Sequence, residues 1–420
     1  MRVLVIGSGA REHALVTALL RDDAVEQVIC APGNAGIARD VPTHLVDVTD
    51  AAAIGDLAIE LDADLVVIGP EVPLVAGAAD AVRDRGIPCF GPSAAAAQLE
   101  GSKAFAKMVM AEASVPTAMA HVCTTVAEVE HALDEFGAPH VVKDDGLAAG
   151  KGVVVTSDRA EAIAHAQSCL ERGEGAQVVI EEYLDGPEVS LFGITDGTTI
   201  IPLQPAQDFK RAKDGDEGPN TGGMGAYSPL PWAPAGMVED VTVRVLQPMV
   251  DAMRHRGTPF VGLLYAGLAL TSRGTRVIEF NARFGDPETQ VVLARLESPL
   301  GRLLLAAATG DLADFPTLHW RDGAAVTVVV AAKGYPERPV TGAIISGLDA
   351  AGAVAGVQVL HAGTKIVDEG IVSAGGRVLS VTATGDSLHE ARERAYAAVD
   401  LITLEGSHHR RDIALTASQS

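Results

Sequence analysis

The chain has 420 residues, enough for about three domains at roughly 150 residues each. It is 48% hydrophobic and 21% charged, an ordinary globular composition that excludes wholesale disorder. Lys and Arg number 32 against 55 Asp and Glu, a net charge of −23. General nucleic-acid binding is thereby excluded, and an anionic ligand must be held by local cations, backbone N–H groups or a metal.

The chain opens MRVLVIGSGAREHAL, with an apolar run too short for a signal sequence, so it reads as a first strand. No apolar run reaches the roughly 18 residues of a membrane span. Cys30, Cys89, Cys123 and Cys169 match no metal knuckle and no CxxC motif, as expected for reduced, buried thiols in a cytoplasmic protein.

Val3–Ile6 ends at Gly7, and Ala14, Leu15, Ala18 and Leu19 then recur at helical spacing. Val28–Cys30 runs into APGNAG, Leu65–Ile68 into GPEVP and Pro88–Phe90 into GPS. This alternation predicts a parallel, doubly wound α/β sheet over 1–100, with ligands beyond the carboxyl ends of its strands. Residues 93–113 read as helical. A compact α+β unit over about 117–187 follows: a helix at 125–136, strand Val141–Lys143, a Gly-rich loop, strand Val153–Thr156, a helix at 158–171 and strand Val178–Glu182. It is read as a lid on a larger region, 101–320. The last region, 321–420, carries strands at 325–332, 358–360 and 377–383 and a helix near 387–402. The tail after Gly406 is expected to fray.

Five stretches carry chemistry. In Gly7-Ser8-Gly9-Ala10-Arg11-Glu12-His13, glycines after a strand and before a helix let a phosphate approach the helix N-terminus. A dinucleotide fingerprint needs Gly where Glu12 stands and an acid at the end of the second strand, which ends Ile29-Cys30-Ala31. A phosphate or phosphosugar site and a tight structural turn both remain open. In Lys143-Asp144-Asp145-Gly146-Leu147-Ala148-Ala149-Gly150-Lys151-Gly152, small residues let N–H groups close over phosphates while flanking lysines supply charge. In Val178–Glu188 a strand offers backbone to a purine edge, and Glu181, Glu182 and Glu188 stand near enough to bind ribose hydroxyls.

In Val277–Pro287, alternation puts Glu279, Asn281 and Arg283 on one strand face and Ile278, Phe280 and Ala282 on the core face. An acid beside an amide suits Mg²⁺ or Mn²⁺, and an Arg next in the row clamps a carboxylate or phosphate. The stretch Gln207–Arg211 followed by Pro219–Tyr227 is too charged and Gly-rich for a core element. It reads as a loop over a small substrate, with Asp208 for an ammonium, Lys210 for a carboxylate and Gly225 in its glycine run.

In this order, GSGAREHAL, KDDGLAAGKG, QDFKRAKDGDEGPNTGGMGAYSP, EFNARFGDPETQ and AAKGYP resemble the phosphoribosylamine–glycine ligase family of purine biosynthesis over nearly the whole chain. Asp144 is a departure, standing where a small residue is expected. The resemblance implies an α/β and α+β multidomain fold: a Rossmann-like pre-ATP-grasp domain, an ATP-grasp domain with a mobile lid, and a small C-terminal α+β domain. It implies ATP and Mg²⁺ or Mn²⁺ as cofactors, with glycine and 5-phosphoribosylamine as substrates. Lys103, Lys143 and Lys151 are then expected at the ATP phosphates, Glu182, Leu184 and Glu188 at adenine and ribose, and Glu279 and Asn281 at the metal. Gly7 and Gly9 would hold the 5′-phosphate, Glu71 a sugar hydroxyl, and Asp208 the glycine ammonium. A monomer or weak dimer is expected. The rival readings are a bicarbonate- or formate-using ATP-grasp ligase, a nicotinamide-dependent oxidoreductase and a non-catalytic nucleotide sensor.

Overall fold

The computed structural model describes residues 1–147, 152–173 and 175–419. Strands Arg2–Gly7, Gln27–Pro32, Leu65–Ile68 and Cys89–Phe90 form a parallel sheet with the first strand between the second and third and the fourth beside the third. Val3 to Ile6 are fully buried, as a strand covered on both faces requires. The carboxyl ends of the first and third strands bring Gly7–Gly9 and Gly69–Glu71 to one edge.

The helical stretch at 93–113 is two helices, Gln98–Gly101 and Lys103–Glu112. Ser102 is extended between them, and its hydroxyl accepts the Phe105 N–H at 3.0 Å. An N-cap of this kind starts a new helix and so ends the old one. Lys103 thereby opens a helix beside the cleft described below.

Strands Ala120–Cys123, His140–Asp144, Val153–Thr156 and Val178–Glu181 make a separate sheet, with helices Val126–Phe136 and Arg159–Leu170 packed on it. This unit has its own core, including Val129, Leu133, Val142, Cys169 and Ile180, and shares no residue with the two larger cores among the described residues.

The centre is an antiparallel sheet of Ile200–Pro202, Glu188–Asp196, Val261–Thr271 and Gly274–Asn281. A second sheet joins Gln207–Asp208 and Gly225–Ser228 to Ala324–Ala331, Arg377–Gly385 and Val357–His361. Strands from both sides of residue 320 thus share one hydrogen-bonded layer, and one core runs through Leu4, Leu264 and Val381.

Two expectations are corrected. Glu279 pairs with Gly267 while Val277 pairs with Leu268, so Ile278 is the extra residue of a bulge. Val277, Phe280 and Ala282 are buried, whereas Ile278 is half-buried against the cleft. The tail after Gly406 is bound rather than frayed: His408 bridges Ala331, and Arg410 is only 1% exposed. The four cysteines are unpaired and buried. Among the described residues no helix is long and apolar enough to cross a membrane.

Candidate active site

A cleft of about 1080 Å³ runs between the separately cored unit, the central sheet and the carboxyl edge of the first sheet. Four of the chain's eight lysines, Lys103, Lys107, Lys143 and Lys210, line it, so lysines gather here, among acids that pair with several of them.

One side is held by a buried acid, Glu181, between two lysines. Lys143 Nζ lies 2.7 Å from Glu181 Oε2 and donates to the Ile278 carbonyl at 3.0 Å. Lys107 Nζ lies 3.0 Å from Glu181 Oε1 and donates to Thr117 Oγ1 and the Ala118 carbonyl at 2.8 and 2.9 Å. Burial pulls the Lys107 ammonium below its ordinary range against the pull of Glu181, and neighbouring Lys143 lowers it further. Lys103 Nζ donates to the Gly146 carbonyl at 2.9 Å. Asp145 accepts from Ser102 Oγ and the Ala104 N–H, both at 3.1 Å, tying the Gly-rich loop to the helix that Lys103 begins. Gly152 lines the cleft; Gly150 and Lys151 lie outside the described residues. Asp144 faces away from Lys143, as alternation along a strand demands, and pairs with Arg172.

Glu182, Leu184 and Glu188 follow along the same wall. Burial would raise the Glu182 carboxyl, but Arg273 at 2.9 Å and the Met119 N–H at 3.1 Å outweigh it and hold the group below its usual range. Glu188 pairs with Lys210 at 2.5 Å.

Opposite stand Glu279, Asn281 and Arg283. Burial pushes the Glu279 carboxyl up, but Lys210, Lys143, Lys103 and Arg283 together hold it below its usual range. Arg283 sits between Glu71 at 3.2 Å and Glu100 at 3.0 Å. Burial pushes Asp208 up to about 7; Lys210 opposes the rise, and Glu288 and Glu188 add to it. Burial would lower Lys210, yet Asp208 and Glu188 carry it well above its ordinary value. Beneath this pair, Ser190 Oγ, Tyr265 OH and Glu288 Oε1 form a closed hydrogen-bonded set at 2.6 to 3.0 Å.

No described residue donates a hydrogen bond to the side chain of Glu279 or Asn281, and neither forms an ion pair among the described residues. A carboxylate kept ionised beside an amide oxygen, both open to the cleft, suits a divalent cation that completes its shell with water and phosphate. Among the described residues no cluster of three or more His, Cys, Asp or Glu side chains could hold a metal by itself, so phosphate oxygens would have to contribute.

The remaining sequence candidates stand apart. Gly7, Gly9 and Gly225 are not among the described residues that line the cleft. The Gly9 N–H donates to Glu12 Oε2 at 2.6 Å, and a Cβ on Gly7 would lie 2.5 Å from Glu12 Cγ. A Cβ on Gly225 would lie 2.7 Å from the Thr327 carbonyl oxygen, so close strand pairing accounts for that glycine. His13 is satisfied, bonded to Asp40 and to the His361 N–H, both at 2.8 Å. Sequence reasoning missed Lys107, Arg11, Asp286 and Arg377. The spacing of Lys103 and Lys107, one helical turn apart, was an available signal. Arg377, 3.4 Å from Asp286, reaches the cleft from the far end of the chain and carries no local signal.

Lys143 on the separately cored sheet, Lys103 and Lys107 on the helix beside it, and an open acid and amide in the same cleft are the arrangement of an ATP-grasp enzyme, a class that binds ATP. Profiles of the phosphoribosylglycinamide synthetase N domain, ATP-grasp (A) domain and C domain match residues 1–100, 101–289 and 325–416. The phosphoribosylamine–glycine ligase of Streptomyces coelicolor is 66% identical over 420 residues, covering all of both chains. The crystal structure of phosphoribosylamine–glycine ligase from Thermotoga maritima superposes with a TM-score of 0.85 at 33% identity, covering 99% of this chain and 100% of that one. A biotin carboxylase from Campylobacter jejuni shares the fold at 15% identity and TM-score 0.74, covering 100% of this chain and 95% of its own. The chain belongs to the phosphoribosylamine–glycine ligase family of purine biosynthesis.

Proposed function

We propose that the cleft joins glycine to 5-phosphoribosylamine, giving glycinamide ribonucleotide, ADP and phosphate through glycyl phosphate. The glycine carboxylate oxygen bonds to the γ-phosphorus of ATP and the bond to ADP breaks. The phosphoribosylamine nitrogen then bonds to the acyl carbon and phosphate leaves. Two anions must meet in the first step, so Lys103, Lys143, Lys151 and Arg283 are assigned to neutralise them. Mg²⁺ or Mn²⁺ on Glu279 and Asn281 would supply further charge neutralisation at the phosphates. Glycyl phosphate hydrolyses in water, which gives the separately cored lid its purpose.

Adenine and ribose are assigned to the wall of Glu181, Glu182, Leu184 and Glu188, with Gly150 and Gly152 in the loop over the phosphates. Asp208 is assigned to the glycine ammonium, and Lys210 and Arg283 to its carboxylate. The 5′-phosphate is assigned to the edge beside Gly7 and Gly9, where Arg11 would supply the charge because Glu12 already takes the Gly9 N–H, with Glu71 at a sugar hydroxyl; Arg11 and Glu71 line the same cleft, in support. Gly225 serves as the base of the substrate loop. The working division is 1–100, 101–320 with lid 117–187, and 321–420. Every group invoked comes from one chain, which suits a monomer or weak dimer, and four unpaired thiols suit a reducing cytoplasm.

The observation that carries this reading is the Asp208–Lys210 pair beside open Glu279 in the cleft that Lys103 and Lys143 share. The test is ADP release from ATP and Mg²⁺ with glycine, with and without fresh phosphoribosylamine. Release that requires both supports the assignment. Release with bicarbonate in place of glycine would move it to another ATP-grasp reaction.

A further inference from the structure

The C-terminal tail is bonded to the loop that carries Asp208 and Lys210. Arg410 lies at the join, 1% exposed. Its Nη1 donates to Asp216 Oδ1 at 2.7 Å and to the Arg211 carbonyl at 3.2 Å. Its Nε and Nη2 grip Asp412 at 2.7 and 2.6 Å. Its guanidinium carbon lies 4.9 Å from the centre of the Phe209 ring. Asp412 also accepts the Gly215 N–H at 2.8 Å, and the Arg411 N–H donates to Asp214 at 2.7 Å. The tail is anchored in turn: Tyr396 OH, on helix Leu388–Val399, donates to the Arg410 carbonyl at 2.7 Å and accepts the Ile413 N–H at 3.1 Å.

The loop needs such an anchor. Its hairpin pairs only Arg211–Lys213 with Glu217–Asn220, and a two-stranded ribbon of that length is marginal alone. Asp208 and Lys210 line the cleft, while Phe209 between them packs against the core and under Arg410. Whatever fixes Phe209 and the hairpin therefore fixes where the two charged neighbours stand.

We propose that Arg410 is a positioning residue for the reaction, setting Asp208 and Lys210 through Phe209 and the hairpin, and with them the affinity for the amino-acid substrate. This rests on the assignment of Asp208 and Lys210 to glycine made above. A planar fork serves four oxygens on three residues at fixed angles, which a lysine ammonium does not reproduce.

The experiment compares full-length wild type, Arg410→Met and Arg410→Lys. Met keeps an apolar stem on Phe209, and the acids it releases are not sealed from water, Asp216 being 70% exposed. The expected result for Arg410→Met is a glycine KM raised about tenfold or more, since small misplacements of binding groups are costly. The KM for ATP should stay within about twofold, and Arg410→Lys should fall between Met and wild type. Amide exchange at 209–220 should quicken in Arg410→Met. Should Arg410→Met not fold, Asp216→Asn, which removes only the exposed hairpin partner, is expected to show the same split in milder form. A glycine KM unchanged in the folded variants, or glycine and ATP KM rising together, overturns the inference alone. Wild-type protein without glycine-dependent ADP release overturns the glycine assignment and this inference with it.

Discussion

The turn after strand Arg2–Gly7 and the turn after strand His140–Asp144 both carry glycines, and each uses them for a different purpose. In the first, the space that a Cβ would take is already filled by the chain. Glu12, buried at 1% exposure, presses against Gly7 and Gly69, where a Cβ would lie 2.5 and 2.1 Å from its atoms. In the second, a Cβ on Gly146 would meet none of the described residues within 4 Å, and the Gly146 carbonyl accepts from Lys103. A glycine turn therefore marks close approach by something, and only the packing says whether that is the protein itself or a ligand.

The largest expected effect lies on the open side. Lys143→Ala and Glu279→Ala should each lose about a hundredfold or more in turnover, since the first removes a positive charge where two anions meet and the second removes the carboxylate that would hold the divalent cation there. Both should stay folded. The unit that carries Lys143 keeps its separate core without it, and no described residue is left without an acceptor when Glu279 goes. ADP release with circular dichroism checks this, and near-full turnover in either variant would sink the assignment of the open turn to phosphate.

On the filled side the effect falls on stability. Gly69→Ala drives a methyl into Glu12, which cannot swing aside because the Gly9 N–H and Arg11 hold its two oxygens. Overpacking of this kind costs about 1–3 kcal/mol. A urea titration should show the loss, and an unshifted midpoint would mean that Glu12 moves freely.

Local features were legible in the sequence and assembled ones were not. Val3–Ile6 and Ala324–Ala331 read as buried strands because a continuous apolar run decides its own burial. Glu279 and Asn281 read as a pair because both sit on one strand, although the bulge at Ile278 exchanged their core neighbours. Gly7 was legible as a turn but not as a socket for Glu12, since the filler is set by the third strand's Gly69 as well as by the first. Lys107, Arg377 and Arg410 acquire meaning only from partners 74, 91 and 194 residues away. The tail read as frayed for the same reason: its partners lie in a loop almost two hundred residues earlier.

A third, smaller effect separates charge held by the fold from charge left for a ligand. Asp208 stands at about 7, above its unfolded value near 3.9, because burial disfavours its anion. The folded protein therefore binds this proton more tightly, and its contribution to stability is present below the unfolded value and is lost as pH rises towards 7. Asp208→Asn should flatten that slope in pH-dependent unfolding. Catalysis should run the other way. Holding an ammonium requires the anion, so kcat/KM for glycine should rise through pH near 7, and kcat should level off at lower pH because bound glycine favours the ionised form. A kcat/KM for glycine that is flat from pH 6 to about 8 would break the link between Asp208 and the ammonium.

The smallest effect belongs to Asp144, and it sharpens the contrast most finely because Asp144 adjoins the open turn without facing it. An acid beside Lys143 would weaken phosphate attraction if both pointed to the cleft. Alternation sends Asp144 to the other face, where it is buried and paired with Arg172. Asp144→Asn removes the charge and keeps the shape, and Arg172, 56% exposed on its side chain, stays in water. Stability should fall by about 1 kcal/mol or less, as for other pairs with a solvated partner, and the KM for ATP should move less than about twofold. A tenfold gain in ATP affinity would show that this charge reaches the phosphates after all, and the open turn would then be weaker than its lysines suggest.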